Sequence, residues 1–316
     1  MMNPETYTAA IQELRTLRDM VRWGATEFQK ANLCFGHGFD NAWDEALFLA
    51  LHALHLSPQE ETKSADARLL THERQEIADL YQRRITERKP VAYLTQEAWF
   101  AGLPFYVDEH VIIPRSPIAE LIEQSFAAYI HEDEVTHILD LCTGSGCIAI
   151  ACALAFPHAQ VDAVDISKEA LIIAEKNRHR HQVTDSVRLI QSDLFNRLRD
   201  DHVSEEYVYN LIISNPPYVN AEEMAELAPE YRHEPELALK GGEDGLTLVA
   251  RIIQEAPHFL APHGILVVEI GNNAEALVEK FPQLPFLWLE FNRGGHGVFL
   301  LTKEQLEKHE DLSEFS

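Results

Sequence analysis

The sequence predicts an α/β protein, a mainly parallel sheet flanked by helices and preceded by a smaller helical region. Three observations predict it. From about residue 116 onward, strand-type and helix-type segments alternate to the end, the pattern of a parallel sheet with crossover helices. Before residue 89, apolar residues recur at helical spacing in "YTAAIQELRTLRDMVRW" and "AWDEALFLALHALHL", with polar loops between them and no strand pattern. The alternating zone also opens with a strand, a glycine turn and a helix, "THILDLCTGSGCIAIACALAF".

In chain order, residues 1–88 read as a helical domain. Residues 89–115 read as a β-hairpin linker, because "PVAYLTQEAWFAGLPFYVDEHVIIP" is rich in aromatic and β-branched residues with a Gly102-Leu103-Pro104 break. Residues 116–316 read as the α/β domain. Its first strand is "THILDLC", its second "QVDAVDI" ending near Asp165, and Ser167 is placed to cap the helix "KEALIIAEKNRHR". A third strand, "VRLIQSD", is expected to end at Asp193, and a fourth runs into "NPPY". "HGILVVEIG" reads as a fifth, and "FLWLEFNRGGHGVFLLTK" as a hairpin pair around Arg293-Gly294-Gly295.

Composition narrows the function. The chain has 316 residues, 46% of them hydrophobic, enough to bury one large core and a second smaller one. The N-terminus carries acids within its apolar text, and no apolar run reaches about 18 residues, so neither export nor membrane insertion is expected. Cys34, Cys142, Cys147 and Cys152 include no CxxC pair, and three of them share one strand-turn-helix segment. They read as buried thiols of a cytoplasmic protein rather than as a disulfide frame or a zinc site. The formal charge is −25, from 26 basic and 51 acidic side chains. Such a balance disfavours a phosphate backbone as partner and favours a basic one, although acidity also serves plain solubility.

Candidate site residues fall at strand ends. Small residues in Thr143-Gly144-Ser145-Gly146 let a ligand approach the backbone, and the following helix start offers free N–H groups. Asp165 lies 19 residues beyond Gly146, the distance at which an acid after the second strand meets ribose hydroxyls in doubly wound folds. Each feature alone also suits a tight connection or a solvated strand end. Together, the glycine turn, two acids and a Pro-Pro turn all fall at the carboxyl ends of parallel strands, where open α/β sheets bind ligands.

"DLCTGSG", "DAVDIS", "QSDLF" and "NPPY" together resemble the S-adenosylmethionine-dependent methyltransferases that modify planar amide or exocyclic amine nitrogens. The resemblance implies a Rossmann-like, seven-stranded domain with an antiparallel seventh strand. It implies a cofactor site at Asp140, Thr143, Gly144, Ser145, Gly146, Asp165, Ile166, Asp193, Leu194 and Asn215, and an acceptor site at Asn215, Pro216, Pro217 and Tyr218. Cys142 stands where many relatives have glycine, which would set that part of the turn farther from the cofactor. An amide nitrogen is a poor nucleophile, because its lone pair is delocalised. The Asn215 side-chain oxygen and the Pro216 carbonyl would accept its two N–H bonds, and Tyr218 would stack on the planar group. No metal and no covalent nucleophile is required.

NPPY serves adenine amines and glutamine amides alike. "PVAYLTQEAWFAGLPFYVDEHVIIPRSPIAELIE" is similar to the HemK/PrmB family of protein-glutamine methyltransferases. "VRWGATEFQKANLCFGHGFDNAWDEALFLALHALHL" looks closer to the PrmB branch of that family, which methylates a glutamine of a large-subunit ribosomal protein. Gln96 stands where the release-factor branch typically has glycine. The resemblance covers nearly the whole chain and implies a basic ribosomal protein as substrate, recognised by the helical domain, with no direct nucleic-acid binding. Methylation of a release factor, adenine methylation and a non-catalytic assembly role remain the alternatives. His37, in "FGHGFDN", is a turn residue or a substrate contact. Arg115 and Glu120 are either a cofactor lid or an interdomain ion pair. His52 and His55 read as packing or surface, and the tail "KEQLEKHEDLSEFS" as a solvated acidic end.

Overall fold

The computed structural model describes residues 3–57, 60–201 and 208–313. The chain divides into two compact units, one of Met1–Ala98 with Leu227–His233 and one of Trp99–Glu226 with Glu234–Ser316.

The first unit is helical. Its main helices are Pro4–Glu13, Leu17–Lys30, Ala42–Ala53 and Thr71–Glu87. Their starts follow from side-chain caps: Asn3, Thr16 and Asn41 each accept a backbone N–H of the first turn, and Asp19 completes a capping box with Thr16. Met20, Phe28, Leu49, Ile77 and Tyr81 form the centre of its core. The Tyr81 hydroxyl, sealed inside, donates to the Ala46 carbonyl at 2.7 Å. Arg84 is fully buried and its Nε meets the Glu45 carboxylate at 3.0 Å. Glu230, from the segment Leu227–His233, is buried against Arg84 and Arg88 and accepts the Cys34 N–H at 3.0 Å. His37 is a packed ring, 2% exposed, with its centroid 4.2 Å from that of Tyr231.

A hairpin follows, β1 (Glu97–Phe100) and β2 (Leu103–Tyr106), most of it in the second unit. It is shorter than the stretch from Pro90 to Pro114 suggests, since Val91–Thr95 is a turn of helix ended by Gln96 at φ 56°. A seven-stranded sheet follows, built from β3 (His137–Leu141), β4 (Gln160–Asp165), β5 (Val187–Gln191), β6 (Tyr209–Ser214), β7 (Leu260–Glu269), β8 (Leu287–Trp288) and β9 (Val298–Thr302). The strand order is β5-β4-β3-β6-β7-β9-β8. The first five are mutually parallel, while β9 runs antiparallel to both neighbours. Alternation decides the two cores. Ile138, Leu211, Ile213, Ile265 and Val267 face one layer of helices, and Leu139, Leu141, Ile212, Leu266 and Val268 face the other.

Local expectations meet the structure unevenly. Ser167 caps the helix Lys168–Arg180, accepting the Ala170 N–H at 3.1 Å. β5 stops at Gln191, so Asp193 lies just beyond the ladder rather than at its last rung. The C-terminal segment is helical from Lys303 to Ser313, with Leu306 buried in the core, so it is not merely a solvated end. Of the cysteines, only Cys152 is fully buried, Cys34, Cys142 and Cys147 being half-buried, and all four are free thiols. Arg115 and Glu120 do not pair with each other. Arg115 holds Glu234 through two hydrogen bonds of 2.6 and 2.9 Å, and Glu120 accepts the Arg293 N–H at 2.8 Å. Both contacts lie inside the second unit. No described helix is long and apolar enough to cross a membrane.

Candidate active site

Parallel strands β3, β4 and β6 all point their carboxyl ends to one edge of the sheet, and a cavity of about 820 Å³, counted to its open mouth, lies there. β3 is central, so its following turn sits beside both neighbours. The strand order reverses at β3, with β4 on one side and β6 on the other, which is where such sheets leave a crevice.

Of the residues expected from sequence, Gly144, Asp165, Ile166, Asp193, Leu194, Asn215 and Pro217 line the cavity. Asp140, Thr143, Ser145, Gly146, Pro216 and Tyr218 are not among its lining residues. Their contacts give them different work. Gly146, at φ 79°, starts the helix Cys147–Ala155, and a Cβ there would sit 3.2 Å from the Ala174 methyl, so glycine lets the next helix pack close. Thr143 donates its hydroxyl to Asp140 Oδ2 at 2.5 Å, and the Ala149 N–H reaches the same oxygen at 3.1 Å. Asp140 Oδ1 is buried with no hydrogen-bond partner among the described residues. Burial pushes the Asp140 carboxyl up to about 7, against the pull of those two donors. Cys142 adopts φ 60°, the left-handed conformation that a glycine would supply, and itself lines the cavity.

Asp165 is fixed from both sides: Oδ1 accepts the Ser167 N–H at 2.8 Å and Oδ2 the Gly144 N–H at 2.8 Å. Burial raises its carboxyl above the ordinary range, while those N–H groups oppose the rise. Each oxygen keeps a lone pair for a hydroxyl donor. Asp193 is held by Arg251 through two hydrogen bonds, at 2.9 and 3.2 Å. Among the described residues, no Lys or Arg lines the cavity. The site therefore offers acidic acceptors and backbone donors without a phosphate clamp. That set fits a nucleoside carrying hydroxyls and a cationic tail.

The Asn215-Pro216-Pro217-Tyr218 turn closes the far side. Ser214, the last residue of β6, donates its hydroxyl to the Leu141 carbonyl at 2.8 Å, tying the start of the turn to β3. The Tyr218 hydroxyl donates to Glu269 Oε1 at 3.0 Å, and Asn273 Nδ2 donates to the Tyr218 carbonyl at 2.7 Å. Arg251, Glu269, Asn273 and Asn177 are absent from the sequence-based set. Asn177 is completely buried and bridges the Tyr106 N–H (2.7 Å), the Tyr106 carbonyl (2.9 Å) and the Ser145 carbonyl (2.9 Å), tying the hairpin to the glycine turn. Asn177 lies within the helix "KEALIIAEKNRHR", where no sequence pattern marks it.

Residues 123–231 match the model of the methyltransferase small domain. Over 302 residues the chain is 47% identical to the ribosomal protein uL3 glutamine methyltransferase of Francisella tularensis subsp. tularensis, covering 95% of this chain and 94% of that protein. The protein of the same name from Bordetella pertussis is 48% identical over 296 residues, covering 93% and 97%. Among solved structures the similarity is more distant. The ribosomal protein L11 methylase from Lactobacillus delbrueckii subsp. bulgaricus aligns with a TM-score of 0.39 at 17% identity, over 60% of this chain and 78% of that one.

Proposed function

We propose, from the premise that the chain belongs to the family of ribosomal protein uL3 glutamine methyltransferases, that it methylates the side-chain amide nitrogen of a glutamine in a large-subunit ribosomal protein, in the cytoplasm. The observation that carries the reading is the Asn215-Pro216-Pro217-Tyr218 turn, whose Asn215 and Pro217 line the same cavity as Asp165 and Asp193.

S-adenosylmethionine, when bound, supplies a methyl group activated by a sulfonium. The chain's residues do the rest. Asp165 would take the ribose hydroxyls, Asp193 the base, and Asp140 the ammonium of the methionine part. Asn215 Oδ1 and the Pro216 carbonyl would accept the two N–H bonds of the glutamine amide, directing its nitrogen lone pair at the methyl carbon. As the N–C bond forms and the C–S bond breaks, positive charge grows on the amide nitrogen. The same two acceptors, fixed before reaction by two prolines, favour that charge, and one N–H proton then leaves to water.

The helical unit would recognise the protein substrate. A net charge of −25 would draw in a basic, unassembled ribosomal protein and slow a nucleic acid. The test is transfer of radiolabelled methyl from S-adenosylmethionine into lysate of cells lacking the protein, using wild type and Asn215→Ala. Label in one basic ribosomal polypeptide, lost with the variant and mapped to glutamine, supports the reading. Label in a release factor, or nuclease-sensitive label, overturns it.

A further inference from the structure

Tyr218 does not line the cavity, yet the fold holds it on three sides. A Cβ on Gly271, itself at φ 55°, would lie 2.6 Å from Tyr218 Cε2, so the ring edge rests on bare backbone. A Cβ on Gly241 would lie 2.7 Å from Tyr218 Cα. Asn273 holds its carbonyl and Glu269 its hydroxyl. Glu269 ends β7, the strand paired with β6, and is 5% exposed. Its second oxygen accepts the Ser116 hydroxyl at 2.5 Å, and that hydroxyl accepts the Ile118 N–H at 3.2 Å.

We infer that Glu269 is a positioning residue for methyl transfer, acting through Tyr218 to hold the Asn215–Pro217 acceptor turn in its working geometry. The inference rests on the proposed function and deepens it. A buried carboxylate whose hydrogen-bond donors are two neutral hydroxyls is a costly way to pack a strand end. What it provides is a group that accepts on both oxygens. Tyr218 and Ser116 must then both donate, which fixes the phenol rotamer and joins the "RSP" segment to the acceptor turn. Glutamine of the same size presents one acceptor and one donor, so one of the two contacts must reorganise. Among the described residues, Arg115, Glu234 and His296 are charged or titratable groups that act electrostatically on this cluster besides Tyr218. Burial raises the Glu269 carboxyl above its ordinary range, against the pull of the Ser116 and Tyr218 hydroxyls, so its protonation as pH falls would mimic the glutamine variant.

The test measures methyl transfer to the ribosomal protein by full-length wild type, Glu269→Gln, Tyr218→Phe and the double variant, with cofactor and protein substrate both saturating. Glu269→Gln should lose about tenfold or more in kcat while its cofactor Kd and protein KM stay within about twofold, since the turn is misplaced rather than the ligands released. The double variant should be no slower than the worse single one, because both changes break the same contact. A fall of kcat with falling pH is expected in wild type and should be missing in Glu269→Gln. An unchanged kcat for Glu269→Gln overturns the inference, and so do losses that multiply in the double variant. Wild type that methylates no glutamine refutes the functional reading itself, and this inference with it.

Discussion

Asp140→Asn should abolish a pH dependence of cofactor binding that wild type displays. Burial pushes the Asp140 carboxyl up to about 7, outweighing its two hydrogen bonds. Below that pH the group is neutral and offers an ammonium no charge; above it, Oδ1 is an ionised acceptor with no other partner among the described residues. If binding requires the ionised form, the apparent Kd scales as one plus the ratio of protonated to ionised carboxyl. It should therefore rise about tenfold between roughly pH 8 and pH 6. Calorimetric titration with S-adenosylmethionine in two buffers of different ionisation enthalpy reads the same event as protons. Near pH 7, wild type should release about half a proton more than Asp140→Asn, whichever groups on the cofactor itself titrate. The folding linkage has the opposite sense. A carboxyl whose pKa is raised on folding favours the folded state at low pH, and this contribution is lost as pH climbs from the unfolded value towards about 7. Ligand-free Asp140→Asn should accordingly gain stability relative to wild type above pH 7. A wild-type Kd that is flat across this window, or an identical slope in the variant, would refute the reasoning.

Other perturbations separate binding from folding. Arg251→Ala frees the half-exposed Asp193 carboxylate; stability should change by less than about 1 kcal/mol, while cofactor Kd, followed by calorimetry, rises several-fold. Asn177→Ala strands one N–H and two carbonyls in the interior, and chemical denaturation should register a loss of about 2 kcal/mol or more. Arg84→Met leaves Glu45 and Glu230 buried without their shared cation, which should cost about 3–5 kcal/mol in denaturation of the helical unit.

What was legible in the sequence was local. Asp165 and Asn215 announce themselves because each follows a run of strand residues directly, and the cap at Ser167 needs only three further residues. The residues that brace the site make their contacts across the chain. Asn177 meets Tyr106 at a separation of 71 residues, Arg251 meets Asp193 at 58, and Glu269 meets Ser116 at 153. No short pattern can report such pairs. The same holds for Leu227–His233, which follows the acceptor turn in sequence but belongs to the helical unit, where Glu230 meets Cys34 at a separation of 196 residues. Gln96 and Cys142 illustrate a different limit. Both hold a left-handed backbone without being glycine, so the residue type does not announce the turn.

The central claim is that the Asn215 turn presents a glutamine amide to the methyl group. The direct measurement is tandem mass spectrometry of a purified large-subunit ribosomal protein, uL3, after incubation with S-adenosylmethionine and either wild type or Asn215→Ala. The account predicts a single methyl group on a glutamine side-chain nitrogen with wild type and at most a trace with the variant, whose cofactor Kd stays close to normal. Methylation on another residue type, or undiminished glutamine methylation by Asn215→Ala, would contradict it.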